Sequence, residues 1–311
     1  MNKESKIYVS GHEGMVGSAI LRRLQNDGYS NIITRSFKQL DLTKQNDVET
    51  FFSSEKPDVV FLVAANVGGV KDNREYPAEH LIDNSLIAIN VIRNAYLNGC
   101  KQLLFISSNC IYPTNAELPL KETCLLQGPL DSDWEGYGIS KIVGLKLCEY
   151  YSKQYGMEYF SVVPCNLYGI NDCYDPQKSR VTASLIRRFH EAKINNVESI
   201  EIWGDGSALR EFLYSDDLAE ACIYLIDHHG NHNIINLSPG TEVSIKELAI
   251  LIKEIVGYEG TLVFNADKPG GIYRKNMSIE VLNKLNWHAG TSLKDGIIKS
   301  YEHYKSKYDL R

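Results

Sequence analysis

Two periods alternate in the hydrophobic pattern of the first half of the chain. Short, almost unbroken apolar runs occur at KIYVSG (6–11), NIITR (31–35), DVVFLVA (58–64), QLLFIS (102–107) and YFSVVP (159–164). Runs of this kind are what strands buried on both faces of a sheet require. Longer amphipathic segments separate them. One, PAEHLIDNSLIAINVIRNAYLNG (77–99), keeps helical spacing and stops at a glycine. Strand–helix alternation of this sort calls for right-handed crossovers and predicts an α/β fold with a doubly wound parallel sheet.

Beyond residue 166 the rhythm loosens. An Asp-Pro loop leads into KSRVTASLIRRFHEA (178–192), followed by SIEIWGDGSALREFLYSDDLAEACIYLI, a short strand NIINLS and a final helical stretch. The expected division is a first unit over 1–165 and a smaller C-terminal α/β lobe over 166–311, with 212–238 returning to the main sheet.

Composition narrows the function classes. With 311 residues, 43% hydrophobic and 23% charged, the chain reads as an ordinary globular protein. A net charge of −6 argues against nonspecific nucleic-acid binding. No run approaches the roughly 18 apolar residues of a membrane span. The start, MNKESKIYVSG, enters a strand without a signal-peptide pattern, so the cytoplasm is the expected compartment. Seven cysteines with no CxxC pair give no zinc or disulfide framework, and HHGNH (228–232) reads as a turn; no metal is expected.

The first strand runs directly into GHEGMVGSAI, which sets Gly11, Gly14 and Gly17 at the opening of a helix. Glycine allows the tight turn and close backbone approach, and a helix N-terminus favours pyrophosphate, so this is a Rossmann-type dinucleotide loop. An acidic residue that would bind ribose hydroxyls is missing from the end of the second strand, which reads Arg35, Ser36, Phe37, Lys38. Arg35 or Lys38 suits a 2′-phosphate and favours NADP(H), while Glu13 leans toward NAD(H). Asp41 either touches adenine or caps the turn before Thr43.

In EGYGISK, Tyr137 and Lys141 lie four residues apart on one helix face. An ammonium beside a phenol is expected to lower the phenol's ordinary pKa of about 10, letting it exchange a proton with a carbonyl oxygen as hydride moves. Ser108 follows the fourth strand, at the sheet edge where ligands collect, and can bond the same oxygen.

Taken in order, GHEGMVGSAI, AANVGGV, SSNCIYP, LKETCLLQGPL, EGYGISKIVGLKLCEYYSKQYG, VVPCNLYG, IRRFHEA, IWGDGSALREFLYSDDLA and KPGGIYRK resemble the GDP-L-fucose synthase-like branch of the extended short-chain dehydrogenase/reductase family along nearly the whole chain. The resemblance implies NADPH-dependent reduction of a GDP-linked 4-keto-6-deoxy sugar in surface-polysaccharide biosynthesis. It also implies a homodimer that pairs helices in a four-helix bundle. The catalytic triad falls on Ser108, Tyr137 and Lys141. Sugar-nucleotide contacts fall on Asn109, Asn166, Arg188, Trp203, Arg210 and Lys275. The remaining implied cofactor contacts are Met15, Val16, Leu42, Ala64, Ala65, Ser107, Pro164, Asn166 and Leu167. Guanidinium suits pyrophosphate, whereas Trp203 serves as a stacking surface or packs in the core. Arg187 points about 100° away from Arg188 and is expected to be a solvated neighbour.

Two departures matter. Arginines that the family often sets at positions 13 and 37 are replaced by Glu13 and Phe37. The family's epimerising pair is a cysteine and a histidine; the cysteine is Cys110, but the histidine position holds Arg180. Arginine stays protonated near neutral pH and cannot carry a proton, although it can hold a phosphate or keto sugar. His190, in IRRFHEA, cannot be presumed to replace the histidine. Three readings follow: a 4-reductase acting on a manno-type hexose or heptose with epimerisation lost or reduced; a bifunctional GDP-L-fucose or GDP-L-colitose synthase; and a noncatalytic NAD(P) sensor.

Overall fold

The computed structural model describes residues 1–268 and 272–308; part of the KPGGIYRK motif, 269–271, lies outside them. The five apolar runs form β1 (Ile7–Val9), β2 (Ile32–Ile33), β3 (Val59–Leu62), β4 (Gln102–Ile106) and β5 (Glu158–Pro164). The amphipathic segments between them form α1 (Met15–Asn26), α2 (Gln45–Glu55), α3 (Val70–Glu75), α4 (Pro77–Leu97) and α5 (Glu135–Tyr155).

Beyond β5 come β6 (Asn166–Tyr168), α6 (Val181–Ile194), β7 (Ser199–Trp203), β8 (Leu209–Arg210), β9 (Phe212–Tyr214) and α7 (Ser215–His228). They are followed by β10 (Ile234–Leu237), β11 (Val243–Ser244), α8 (Ile245–Val256), β12 (Thr261–Asn265), α9 (Glu280–Lys284) and α10 (Leu293–Tyr308).

The main sheet has the order β10-β5-β4-β3-β1-β2, and every pairing in it is parallel. This is a Rossmann-like α/β sheet. The chain reverses its direction of winding between β1 and β3, and a crevice opens beyond the carboxyl ends of strands at such a point. Central strands β1, β3 and β4 are apolar on both faces because helices cover both sides: Ile7, Tyr8, Val9, Val60, Phe61, Leu62, Leu103 and Leu104 are all buried.

The second half builds small two-stranded pairs, β6 with β9, β7 with β12 and β8 with β11. They share a separate apolar cluster with α6, α8 and α10, centred on Phe189, Ile186, Leu248, Ile252 and Ile297. Among the described residues no helix is long and apolar enough to cross a membrane. α4 and α5 leave Ile82, Leu86, Ile89, Leu97, Ile139, Tyr150 and Tyr155 exposed.

Candidate active site

A cleft of about 710 Å³ runs across the carboxyl ends of β1, β3, β4 and β5. Its floor is made by backbone. Gly11 takes a positive φ of 69°, and a Cβ there would meet the backbone of Ala64 at 2.9 Å. At Gly17 a Cβ would lie 2.1 Å from the Gly11 carbonyl oxygen. The β1 and β3 ends can therefore touch, and the first turn of α1 faces the cleft, only because side chains are absent. Two buried polar atoms on the wall have no partner among the described residues, His12 Nδ1 and Ser107 Oγ. A glycine cradle, a helix N-terminus and unpaired wall groups fit a dinucleotide.

Of the expected cofactor residues, Gly11, Gly14, Met15, Val16, Gly17, Arg35, Asp41, Leu42, Ala64, Ala65, Ser107, Lys141, Pro164 and Leu167 line this cleft. Asp41 lines the cleft, and its Oδ1 makes the expected turn cap, accepting from the Thr43 amide at 3.0 Å and hydroxyl at 2.7 Å. Arg35 reaches the cleft but is tethered, donating to Glu55 Oε1 at 2.6 Å and to the Thr34 carbonyl at 2.8 Å.

Two expected cofactor contacts lie elsewhere. Lys38 is exposed on the turn after β2, outside the lining. Asn166 donates to the Glu211 carbonyl at 3.0 Å, which ties β6 to β9 instead. Phe37 lines the cleft and is 74% exposed, leaving an apolar ring at its mouth.

Farther along, the cleft brings together Ser108, Tyr137, Lys141 and Arg180. Ser108 stands just after β4, where a short helical turn begins. Tyr137 and Lys141 come from the first turns of α5, and Lys141 Nζ donates to the Ile106 carbonyl at 2.9 Å. The ammonium sits 5.5 Å from the Tyr137 ring centre and 4.8 Å from that of Phe105. Arg180 immediately precedes α6.

The electrostatics correct one expectation. Lys141 does not draw the Tyr137 phenol down. Burial instead holds the phenol above its ordinary range, Cys110 pushes it further, and Arg180 opposes both. Desolvation, which residue spacing does not reveal, dominates for a ring 5% exposed. Burial also lowers Lys141 to about 8, with Cys110 opposing and Arg180 assisting. Cys110 is buried beside this group, and burial raises its thiol against a hydrogen bond from Ser108 and the charges of Lys275, Lys141 and Arg180. The raised thiol is a poor source of thiolate.

The expected sugar-nucleotide residues are more dispersed. Asn109 and Cys110 lie in the turn behind Ser108, outside the cleft lining. Arg188 donates to the Glu201 carbonyl and borders a shallow groove of about 350 Å³ between α6 and β7. Trp203 is 61% exposed at the end of β7, which removes the core-packing reading. Arg210 donates to the carbonyls of Leu209 at 2.7 Å and Tyr273 at 3.3 Å. Burial lowers Lys275, while Cys110 and Asp131 raise it.

Arg187 is not simply solvated. It pairs with Glu191 at 3.0 Å, one helical turn on, and only 17% of its side chain is exposed. His190 is buried in the second apolar cluster, with Nδ1 at 3.1 Å from the Tyr301 hydroxyl.

Asp172 is a site residue that the sequence reading missed. It lines the cleft, and burial raises its acid to about 6 against the charge of Arg180 and a bond from the Cys173 amide. Its position after β6, at the same edge as the glycine loop, was the available signal. The neighbouring wall residues Asn66 and Asp83 were missed too.

The description "NAD dependent epimerase/dehydratase family" belongs to the family model that matches residues 7–238. A putative GDP-L-fucose synthase 2 of Arabidopsis thaliana is 49% identical over 98% of this chain and 93% of its own length. Among solved structures, a GDP-D-glycero-L-gluco-heptose synthase from Campylobacter jejuni, in the presence of NADPH, is 37% identical with a TM-score of 0.92 and covers 98% of this chain and 99% of that one. A GDP-mannoheptose C4 reductase from the same organism, with NADP bound, is 39% identical with a TM-score of 0.89 over 98% and 99% of the two chains. The ordered motifs, the glycine cradle and the Ser108–Tyr137–Lys141 cleft thus have one explanation: the chain belongs to the NAD dependent epimerase/dehydratase family, in its GDP-L-fucose synthase-like branch of extended short-chain dehydrogenase/reductases, and is an NAD(P)H-dependent oxidoreductase.

Proposed function

We propose that this enzyme reduces the C4 ketone of a GDP-linked 6-deoxy-4-keto sugar, a manno-type hexose or heptose, with NADPH and without completing epimerisation at C3 and C5. One observation carries the reading: Ser108, Tyr137, Lys141 and Arg180 share a cleft with the glycine loop, and the resemblance sets a histidine where Arg180 lies. The relatives known as GDP-heptose synthase and GDP-mannoheptose C4 reductase support the same substrate class.

In this reading Ser108 donates to the ketone oxygen and holds it beside the Tyr137 hydroxyl. A bound dihydronicotinamide supplies the hydride. Tyr137 gives its proton to the oxygen as negative charge develops there. A phenol kept neutral by burial is in the correct form for this step, and Arg180 lowers the cost of the phenolate left behind. Proton exchange at carbon is poorly served, because Cys110 stays a thiol and Arg180 cannot release a proton.

Arg188, Trp203, Arg210 and Lys275 are assigned to the nucleotide end, with Arg188 turning from Glu201 to pyrophosphate when substrate binds. The exposed apolar residues of α4 and α5 support a homodimer joined through those helices. Sedimentation analysis tests that assembly; a monomer at micromolar concentration would remove it.

The catalytic reading is tested by NADPH oxidation in the presence of GDP-4-keto-6-deoxymannose or its heptose counterpart. The expected product keeps the substrate's configuration at C3 and C5 by NMR. A product inverted at both carbons would establish the bifunctional synthase, for which the retained Cys110 is the favouring observation. A protein that binds NADPH but oxidises none with either sugar would be a sensor.

A further inference from the structure

His80 lies in the first turn of α4 and is 1% exposed. Its Nδ1 is 3.2 Å from the Asn66 carbonyl oxygen, and its Nε2 is 2.9 Å from Asp72 Oδ2. Carbonyl and carboxylate oxygens only accept. The shorter contact is a hydrogen bond when Nε2 carries hydrogen and donates it to the Asp72 carboxylate.

The same ring meets Tyr137 edge-on, with centroids 6.5 Å apart and planes at 84°. Asn66 is part of the cleft wall. Its backbone is clamped a second time by Asn84, which accepts from the Asn66 amide at 2.8 Å and donates to its carbonyl at 2.9 Å.

The wall segment has no helix or strand of its own between β3 and α3. Side-chain contacts are therefore what fix its path. Asn73 donates to the Gly69 carbonyl at 3.0 Å, and Asp72 packs so tightly on Gly68 that a Cβ there would sit 1.9 Å from its carboxylate. Lys71 Nζ donates to Gln177 Oε1 at 3.3 Å, which joins the wall to the segment leading to Arg180.

We propose that His80 and Asp72 form a positioning pair that fixes the 66–69 wall and the Tyr137 ring relative to each other, and so sets the proton-transfer geometry. Neither residue touches the reacting atoms. The kinetic arm of the test rests on the reductase reading; the spectroscopic arm does not.

His80→Phe keeps a ring against Tyr137 but removes both polar contacts. It should lower kcat by about tenfold while KM for sugar and cofactor stays within about twofold, since a small displacement near the chemistry is costly in kcat. Asp72→Asn should act in the same direction. The double variant should be no worse than the more damaged single one, as expected of residues acting as a unit. His80→Gln, which can donate to one oxygen, should recover part of kcat.

The spectroscopic arm uses unliganded wild-type and Asp72→Asn protein labelled with ¹⁵N in histidine. A His80 Nε2–H signal that Asp72→Asn shifts or removes supports the pair, and a signal that Asp72→Asn leaves unmoved overturns it. Wild-type kcat in His80→Phe, or losses that simply multiply in the double variant, would also overturn it. Absence of turnover in the wild type with either GDP-4-keto sugar would reject the reductase reading instead and leave the ring spectrum to decide.

Discussion

The two ends of the cleft are built by different means. At the glycine loop the site is backbone: the turn after β1 meets Ala64 after β3 because Gly11 has no Cβ, α1 packs on that turn because Gly17 has none, and the helix supplies its own N-terminus. At the sugar end the site is side chains from separate segments, with Ser108 after β4, Tyr137 and Lys141 on α5, Asp172 after β6 and Arg180 before α6. Backbone geometry of the first kind tolerates almost no change. The second kind can exchange one group for another of different chemistry without losing the fold, and in the proposed reading Arg180 is such an exchange.

The largest expected effect tests whether chemistry is confined to the sugar end. Tyr137→Phe should reduce kcat by roughly 10²–10⁴-fold, the usual contribution of a general acid, while NADPH affinity measured by fluorescence titration stays within about twofold. A loss of affinity as large as the loss of rate would break the separation between the two ends.

Gly17→Ala probes the opposite end. With a Cβ forced to 2.1 Å from a backbone oxygen, the loop must open. NADPH affinity should then drop by about 100-fold, a loss near 2.7 kcal/mol. Unchanged affinity in a folded variant would show that the loop is not the cradle.

The third expectation concerns pH. Lys141 holds its proton only below about 8 because of burial. If the ammonium supports proton delivery by Tyr137, kcat should decline about tenfold per pH unit above that point. A flat profile from pH 7 to 10 would remove Lys141 from the proton path.

The smallest effect concerns a buried acid outside the cleft lining, between β8 and β9. Glu211 is 2% exposed, and burial raises its acid from 4.5 to about 7, against bonds from Ser238 and the Met277 amide. A folded value above the unfolded one means that folding takes up a proton between these values. Stability therefore falls as pH rises from 4.5 through 7, and the penalty is complete above that window. Glu211→Gln, whose amide oxygen can still accept from Met277, should melt a few degrees higher than wild type at pH 8, where the penalty is of order 1–3 kcal/mol, and equally at pH 4.5. Scanning calorimetry at the two pH values checks it. A variant less stable at pH 8 would make the carboxylate a net stabilising group.

How far each end was legible follows from the same contrast. The glycine loop and the parallel sheet could be read because their signals are local: apolar runs, spacing and a strand–glycine–helix order. Tyr137 and Lys141 could be paired by helical spacing alone. Their protonation could not, because desolvation depends on what packs around them. Arg187 pairs with Glu191 at a four-residue spacing visible in the sequence. Asp172 had only its position after β6 as a signal, and His80 and Asp72 had none, since they acquire their neighbours only when the chain folds. Lys38 was read from its charge at the end of the second strand and Asn166 from a resemblance; both give position along the chain but not the direction of a side chain.

The account depends most on the claim that Arg180 and a buried Cys110 leave reduction without double epimerisation. Incubating the enzyme with GDP-4-keto-6-deoxymannose and NADPH in D₂O, then reading the product by NMR, tests this directly. The expected result is a reduced sugar without deuterium at both C3 and C5; deuterium at both carbons would contradict it.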